Sequence, residues 1–375
     1  MALRQLKRWT VLACVLTWLA QPVKAQPLPN VVAWGDISFT SVPADATNVV
    51  VASTGGGTAA AIRADGALVI WHPFSDAPNF PSHITNALAV AAGPGFGLAV
   101  TNGVPVLWGS SQGGGIYPVP ADLTNVVAVV CGNAPVVLRA DSTVAGWYPY
   151  ETVLTNAVAI AAGQLSGLAL RADGTVATWG YDICGVGVLN IPPGLTNVVG
   201  VAAGACFNAA LKADGTVVAW GDNGCGQTNV PPDLTNAVAI AAGALHCLAL
   251  RSDGTVVEWG RNPYERPWDT SGPTNLVSLL SNVVSIAAGG YSSIAVTGTG
   301  MPPLHVLVTN VTFGAGGFSA KVPTDRGKVY ALEYKNSLSA AQWTLLPLVA
   351  GTGGEIDLVD TNAAARQRFF RVRRW

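Results

Sequence analysis

The segment TNVVGVAAGACFNAALKADGTVVAWG, residues 196–221, decides the fold. It opens with small and β-branched residues up to Gly204, passes through a second apolar run, turns at Ala213-Asp214-Gly215-Thr216, and closes on a third run at Trp220 and Gly221. Short apolar runs without alternation read as strands buried on both faces. Asp-Gly between two of them reads as a tight hairpin, the Asp bonding its own backbone and the Gly supplying positive φ. Three antiparallel strands result. The first carries only small side chains, as the innermost strand of a crowded axis requires, and the Trp ending the third is a large filler between neighbouring sheets.

The unit recurs. TNAVAIAAG at 155–163 precedes LALRADGTVATWG at 168–180, and TNAVAIAAG at 235–243 precedes LALRSDGTVVEWG at 248–260; weaker copies start at 47, 85 and 124. A period of about forty residues made of short β-rich pieces marks a propeller. The Thr/Ser-Asn pair ends at Asn48, Asn86, Asn125, Asn156, Asn197, Asn236 and Asn282, and the closing Trp falls at Trp34, Trp71, Trp108, Trp147, Trp179, Trp220 and Trp259. The two series are offset, because the chain starts on a Trp-bearing strand and finishes the repeats on a leading half. The expected fold class is therefore all-β: a seven-bladed β-propeller over residues 26–302, closed by a composite N/C-terminal blade. From 303 to 375 the repeat is lost, and HVLVTNVTF, KVYALEYKNS, EIDLVD and RFFRVRRW read as a small β-sandwich-like module.

Composition bounds the function. Arg4, Lys7 and Arg8 precede an apolar run from Trp9 to Ala20, and Val23-Lys24-Ala25 presents small residues to a signal peptidase, so residues 1–25 read as a cleaved export signal. The expected location is secreted or cell-surface, with the periplasm as the alternative, and no transmembrane segment follows cleavage. Without the signal the chain has 16 basic and 21 acidic residues; the propeller carries a formal charge of −9 and the terminal module +4. An acidic propeller offers no footprint for nucleic acid. Cys131, Cys184, Cys206, Cys225 and Cys247 remain, an odd number with no C-x-x-C pair, which argues against a zinc or redox motif and reads as small buried or loop thiols.

These repeats resemble the regulator-of-chromosome-condensation repeat family of the exported bacterial type, over about residues 31–296. Ala241-Ala242-Gly243 followed by His246 matches its Ala-Ala-Gly-x-x-His start, and Gly221-Asp222-Asn223-Gly224-Cys225-Gly226-Gln227 matches the segment after its Trp. Ser142 in place of Gly, and Asn102-Gly103-Val104, depart from its turn. The resemblance implies a propeller and a binding role: family members include exported inhibitors of β-lactamases and nuclear exchange factors for a small GTPase.

No motif carries chemistry convincingly. Gly109-Ser110-Ser111-Gln112-Gly113 matches G-x-S-x-G but lacks a strand-to-helix context. The recurring Asp65, Asp141, Asp173, Asp214 and Asp253 report hairpin chemistry. Glu258 stands where the other copies have Ala33, Ile70, Leu107, Gly146, Thr178 and Ala219, and reads as a solvated strand-end charge or an acid facing a cleft. Arg366, Arg368, Arg371, Arg373 and Arg374 invite a nucleic-acid reading, but the alternation of Phe370 and Val372 with Arg371 and Arg373 reads as a strand with one wet face.

Antiparallel geometry places the loop after each Trp-Gly on the same face as the turn between inner and middle strands. That face collects aromatic and Arg residues of the kinds enriched at interface hot spots. The candidate partner-binding residues are Tyr148, Tyr150, Tyr181, His246, Glu258, Arg261, Tyr264, Arg266 and Trp268, with Phe96, Phe207 and Tyr291 added by the short turns. The expectation is a monomeric, non-enzymatic extracytoplasmic protein without cofactor or metal, binding a protein or glycan. The alternatives are a propeller-based hydrolase or lyase, and a structural cell-surface protein.

Overall fold

A computed structural model describes residues 30–35, 41–71, 84–109, 118–146, 153–261, 274–298, 306, 308–314, 317–337, 339–361 and 368–375. The export-signal reading of residues 1–25 and the motif at 110–113 lie outside the described residues. Seven inner strands run Val49–Thr54, Ala87–Ala92, Val126–Cys131, Ala157–Ala162, Val198–Ala203, Ala237–Ala242 and Val283–Gly289. Each belongs to its own antiparallel sheet in the order inner, middle, outer, and these sheets are blades 1 to 7 below. Blade 3 gains a fourth strand, Val153–Leu154.

Blade 7 is the composite. Its outer strand, Val31–Gly35, comes from the start of the chain and pairs with Ser292–Thr297 in a register running from Val31↔Val296 to Gly35↔Ser292. Blade 7 packs against blade 1 as the others pack against their successors.

The seams between blades explain the repeat residues. The Asn of the Thr-Asn pair adopts φ between 54° and 62° at Asn48, Asn86, Asn125, Asn156, Asn197 and Asn282, a left-handed conformation that Asn tolerates better than most residues. Its carbonyl then accepts a hydrogen bond from the hairpin of its own blade, as Asn197 does from Ala213 N at 2.9 Å. The hairpin Gly in turn accepts from the first inner residue of the next blade: Gly103 O from Val126 N at 2.9 Å, Gly174 O from Val198 N at 3.1 Å, Gly254 O from Val283 N at 3.1 Å. Ser142 (φ 66°) and Asn102 (φ 51°) keep the positive φ their positions require, so these departures leave the turns intact.

Between blades 7 and 1 there is no hairpin to supply that bond. The side chain of Asn30 supplies it: Oδ1 accepts from Val49 N at 2.8 Å, and Nδ2 donates to Val49 O at 2.9 Å and Thr297 O at 3.0 Å. An amide side chain thus stands in for a peptide group where the ring closes.

Trp34, Trp71, Trp108, Trp179, Trp220 and Trp259 are all buried; Trp147 lies outside the described residues. Across the ladder from Trp108 and Trp179 sit Gly97 and Gly167, and a Cβ on either would come within 2.2 Å of the indole. Indole donors reach back to the preceding blade, Trp220 Nε1 to Val188 O and Trp259 Nε1 to Gln227 O, both at 3.0 Å. The fold is all-β but for one short helix, Thr274–Leu279, among the described residues.

The terminal residues form two small sheets, one of Asn310–Gly314, Gly317–Pro323 and Glu355–Asp360, the other of Thr344–Leu345, Val329–Lys335, Val349–Ala350 and Phe369–Arg374. Val322, Tyr330, Leu332 and Leu358 fill the space between them. This module is docked on the hairpin face of the propeller. Val329, Ala331, Leu348 and Trp375 share one apolar cluster with Val158 and Val199, while Leu348 N donates to Ala172 O at 2.8 Å and Arg373 Nη1 to Ala213 O at 3.0 Å. The C-terminal arginines are paired: Arg368 with Asp360, Arg371 and Arg373 with Glu333, Arg374 with Asp325.

Candidate binding face

Opposite the module lies the loop face. The loops after the outer strands start by bonding to the short turns of their own blades: Tyr181 N to Leu165 O and Asp222 N to Cys206 O at 2.9 Å, Arg261 N to Leu245 O at 3.0 Å. Both loop sets therefore share one face. At its centre the inner strands end around a cavity of about 190 Å³, lined among others by Thr54, Cys131, Asn133, Gln164, Ala203 and Ala242.

The best-defined projection on this face is the loop beginning at Tyr181. Asp182 holds it from inside, accepting from Gly187 N at 2.7 Å and Val186 N at 3.2 Å. Cys184 is disulfide-bonded to Cys206, in the short turn of blade 5, with Cα atoms 6.1 Å apart. The reading of these two cysteines as small buried or loop thiols is thereby corrected; Cys131, Cys225 and Cys247 remain free. Clamped at both ends, the loop exposes Tyr181 (62%), Ile183 (52%) and Val186. Sequence reasoning found Tyr181 and missed the two aliphatics, Ile183 and Val186, of the same loop.

That next loop is closed on itself. Gln227 is buried, its Nε2 donating to Asp222 Oδ2 at 2.7 Å and its Oε1 accepting from Cys225 N at 2.8 Å. The residues that match the family segment after the Trp are thus scaffold.

Two candidates are corrected. His246 is buried: Nε2 lies 2.8 Å from Ser293 Oγ in blade 7, and its ring packs where a Cβ on Gly243 would come within 2.2 Å. Burial lowers its pKa to about 4, so at neutral pH the imidazole is uncharged. Phe96 and Phe207 hold the same position and are likewise buried on the glycines of their own blades, Gly93 and Gly204. Glu258 is neither solvated nor facing a cleft. Its side chain is 11% exposed and Oε2 accepts from Trp34 Nε1 at 2.9 Å. A carboxylate does for Trp34 what backbone carbonyls do for Trp220 and Trp259, which explains why Glu appears here alone among the copies.

Ser293, His246 and Glu258 form no catalytic triad, although they are adjacent. Serine and carboxylate both face Nε2, the latter at 3.9 Å, and Ser293 is fully buried; a triad needs the acid on the other ring nitrogen and an exposed hydroxyl. Arg261 is exposed beside the blade 6 turn. Tyr148, Tyr150, Tyr264, Arg266 and Trp268 lie outside the described residues. Among the described residues no group of three or more His, Cys, Asp or Glu is placed to hold a metal.

Blades built from one antiparallel unit around an axial channel define a β-propeller of the repeat type. Residues 198–227 and 237–265 match the model of the regulator of chromosome condensation (RCC1) repeat, and the chain is a propeller carrying repeats of that family. Among solved structures it is similar to Prp20p from Saccharomyces cerevisiae, a protein with binding properties toward Gsp1p and histones, at 17% identity and a TM-score of 0.55 over 72% of this chain and 92% of that one. It is also similar to the CRINKLY ectodomain of an Arabidopsis thaliana receptor kinase (20% identity, TM-score 0.51, 66% of this chain and 90% of that one). The ectodomain of a Physcomitrella patens receptor kinase follows (20%, 0.53, 69% and 75%). No curated protein matches in sequence.

Proposed function

We propose that the chain is an extracytoplasmic binding protein that engages a protein partner through its loop face. The observation carrying this reading is the projection of Tyr181, Ile183 and Val186, held by the Cys184–Cys206 disulfide and by Asp182, on the face the terminal module leaves open. An apolar and aromatic group pre-organised in this way loses little entropy on binding, which is what an interface anchor needs. The disulfide fits an oxidising compartment and so fits export. Prp20p, which shares the fold, interacts with other proteins, and two further neighbours are receptor ectodomains.

The test compares wild-type chain with the Tyr181→Ala/Ile183→Ser double variant as bait in the native extracellular fluid. A protein retained by wild type and lost with the variant, whose thermal unfolding is unchanged, supports the reading. Identical capture by both baits overturns it. Location is read separately by cell fractionation and N-terminal sequencing, with mature protein beginning at Gln26 as the expected result.

A further inference from the structure

Four lysines follow residue 25: Lys212, Lys321, Lys328 and Lys335. Three of them are occupied. Lys212 pairs with Asp214 and Lys321 with Asp357, while Lys335 donates to Ala340 O and lies over the Trp343 ring. Lys328 is half-buried, and its Nζ has no hydrogen-bond or ion-pair partner among the described residues. Nor is that nitrogen sealed from solvent. The charges it feels, Arg374 and Asp325, are paired with each other. Burial is the largest influence on the amine and lowers its pKa, with Arg374 adding to the effect and Asp325 opposing it. More of it is therefore neutral than in an ordinary lysine.

An amine that protein surrounds and solvent still reaches opens onto a cavity. Lys328 lines one of about 110 Å³, where the terminal module caps the inner strands of blades 3 and 4. Val127, Val129, Leu138, Val158, Ile160 and Ala350 supply its walls, and Lys328 is the one polar side chain in the lining. The backbone beside the lysine is held in place. Gly351 N donates to Lys328 O at 2.8 Å, a Cβ on Gly351 would come 2.0 Å from Asp325 O, and Arg326 Nη1 donates to Val126 O at 2.6 Å. A carboxylate entering here would have to leave water together with the ammonium, a cost that their attraction does little more than offset. An aldehyde and a neutral amine join without burying any charge, and desolvated lysines are nucleophiles toward carbonyl carbon. A dry cavity of about 150 Å³ accepts benzene, so this smaller one suits an apolar chain of about four carbons.

We propose that Lys328 is a covalent binding site for a short aliphatic aldehyde, held as an imine with its alkyl chain in the cavity between the module and blades 3 and 4. Nζ attacks the carbonyl carbon to give a carbinolamine. The oxygen then leaves as water with both amine hydrogens, and the C=N bond forms; no oxidant or reductant takes part. The site lies on the face opposite the Tyr181 loop, and its test leaves the partner reading untouched. The full chain is incubated with butanal and cyanoborohydride, which reduces the imine to a stable secondary amine, and the alkylated lysines are located by peptide mass spectrometry. Lys328 carries more adduct than Lys212, Lys321 and Lys335 together. That preference is lost in guanidinium-unfolded chain, and lost with glyceraldehyde, whose hydroxyls the apolar walls leave unpaired. Excess butyrate does not protect Lys328. Labelling of Lys328 no greater than that of the other lysines, a preference that persists after unfolding or with glyceraldehyde, or protection by butyrate overturns the proposal.

Discussion

The hairpin face and the loop face are made from one repeat and put to opposite uses. On the hairpin face the repeat is strict: positive-φ Asn, Asp-Gly turn and backbone bond to the next blade recur with little variation, and Asn30 completes the pattern where the chain ends meet. On the loop face the copies diverge, and the divergence holds what reaches solvent: Tyr181, Ile183 and Val186. Strict repetition on the hairpin face marks residues that join blades; departures from it mark exposed surface at Tyr181, Ile183 and Val186 and a further cross-blade bond at Glu258.

The hairpin face is itself divided. The residue bulged out at the start of each inner strand is buried in blades 3, 4 and 5 as Val127, Val158 and Val199, where the module docks, and bare in blades 1 and 2 as Val50 (49%) and Leu88 (38%). Occupation of this face by the module is what leaves the loop face as the open broad surface.

The contrast is broken most severely at the closing seam. Asn30→Ala removes three side-chain hydrogen bonds between the two ends of the ring and costs about 3 kcal/mol at about 1 kcal/mol each, read as a lower urea midpoint with an unchanged slope. A loss below about 0.5 kcal/mol would show that the seam does not depend on this amide.

His246 gives the next largest effect, through pH. Its folded pKa, about 4, lies below the ordinary 6.5, so above pH 6.5 it contributes nothing to the pH dependence. Between pH 6.5 and 4 the unfolded chain takes up a proton that the folded one refuses, and stability falls by up to about 3 kcal/mol. The Glu258 carboxylate 3.9 Å away moderates the loss. His246→Phe, the residue used at this position in blades 2 and 5, flattens that part of the curve relative to wild type; parallel curves would contradict the assignment.

Smaller effects follow at the turns and loops. Asp173 accepts from Thr175 N at 2.9 Å and Oγ1 at 2.6 Å, and these bonds hold its pKa below the usual range. Asp173→Ala costs about 1 kcal/mol by chemical denaturation, whereas Tyr181→Ala/Ile183→Ser moves stability by less than about 0.5 kcal/mol. A reversal of that order would remove the distinction between the faces.

Most of the frame was legible because a propeller repeats its physics. Apolar runs, Asp-Gly turns and Trp spacing each recur, and the offset of Asn and Trp series anticipated the pairing of Val31–Gly35 with Ser292–Thr297. The site was less legible. His246 and Phe207 look like surface aromatics in a turn, yet their positions face a glycine that leaves room for a ring, and this packing is visible only when the strands are paired. Glu258 broke the pattern for a structural reason, an indole in the next blade, 224 residues away in sequence. Cys184 and Cys206 carried no spacing signal because their approach depends on the loop path between blades.

The most direct test of the central claim places a photo-crosslinking residue at Ile183 on the loop face, or at Val50 on the hairpin face, in otherwise wild-type chain produced in its native cells. The account predicts a discrete protein adduct from position 183 and none from position 50; adducts from position 50 alone, or from neither, would contradict it.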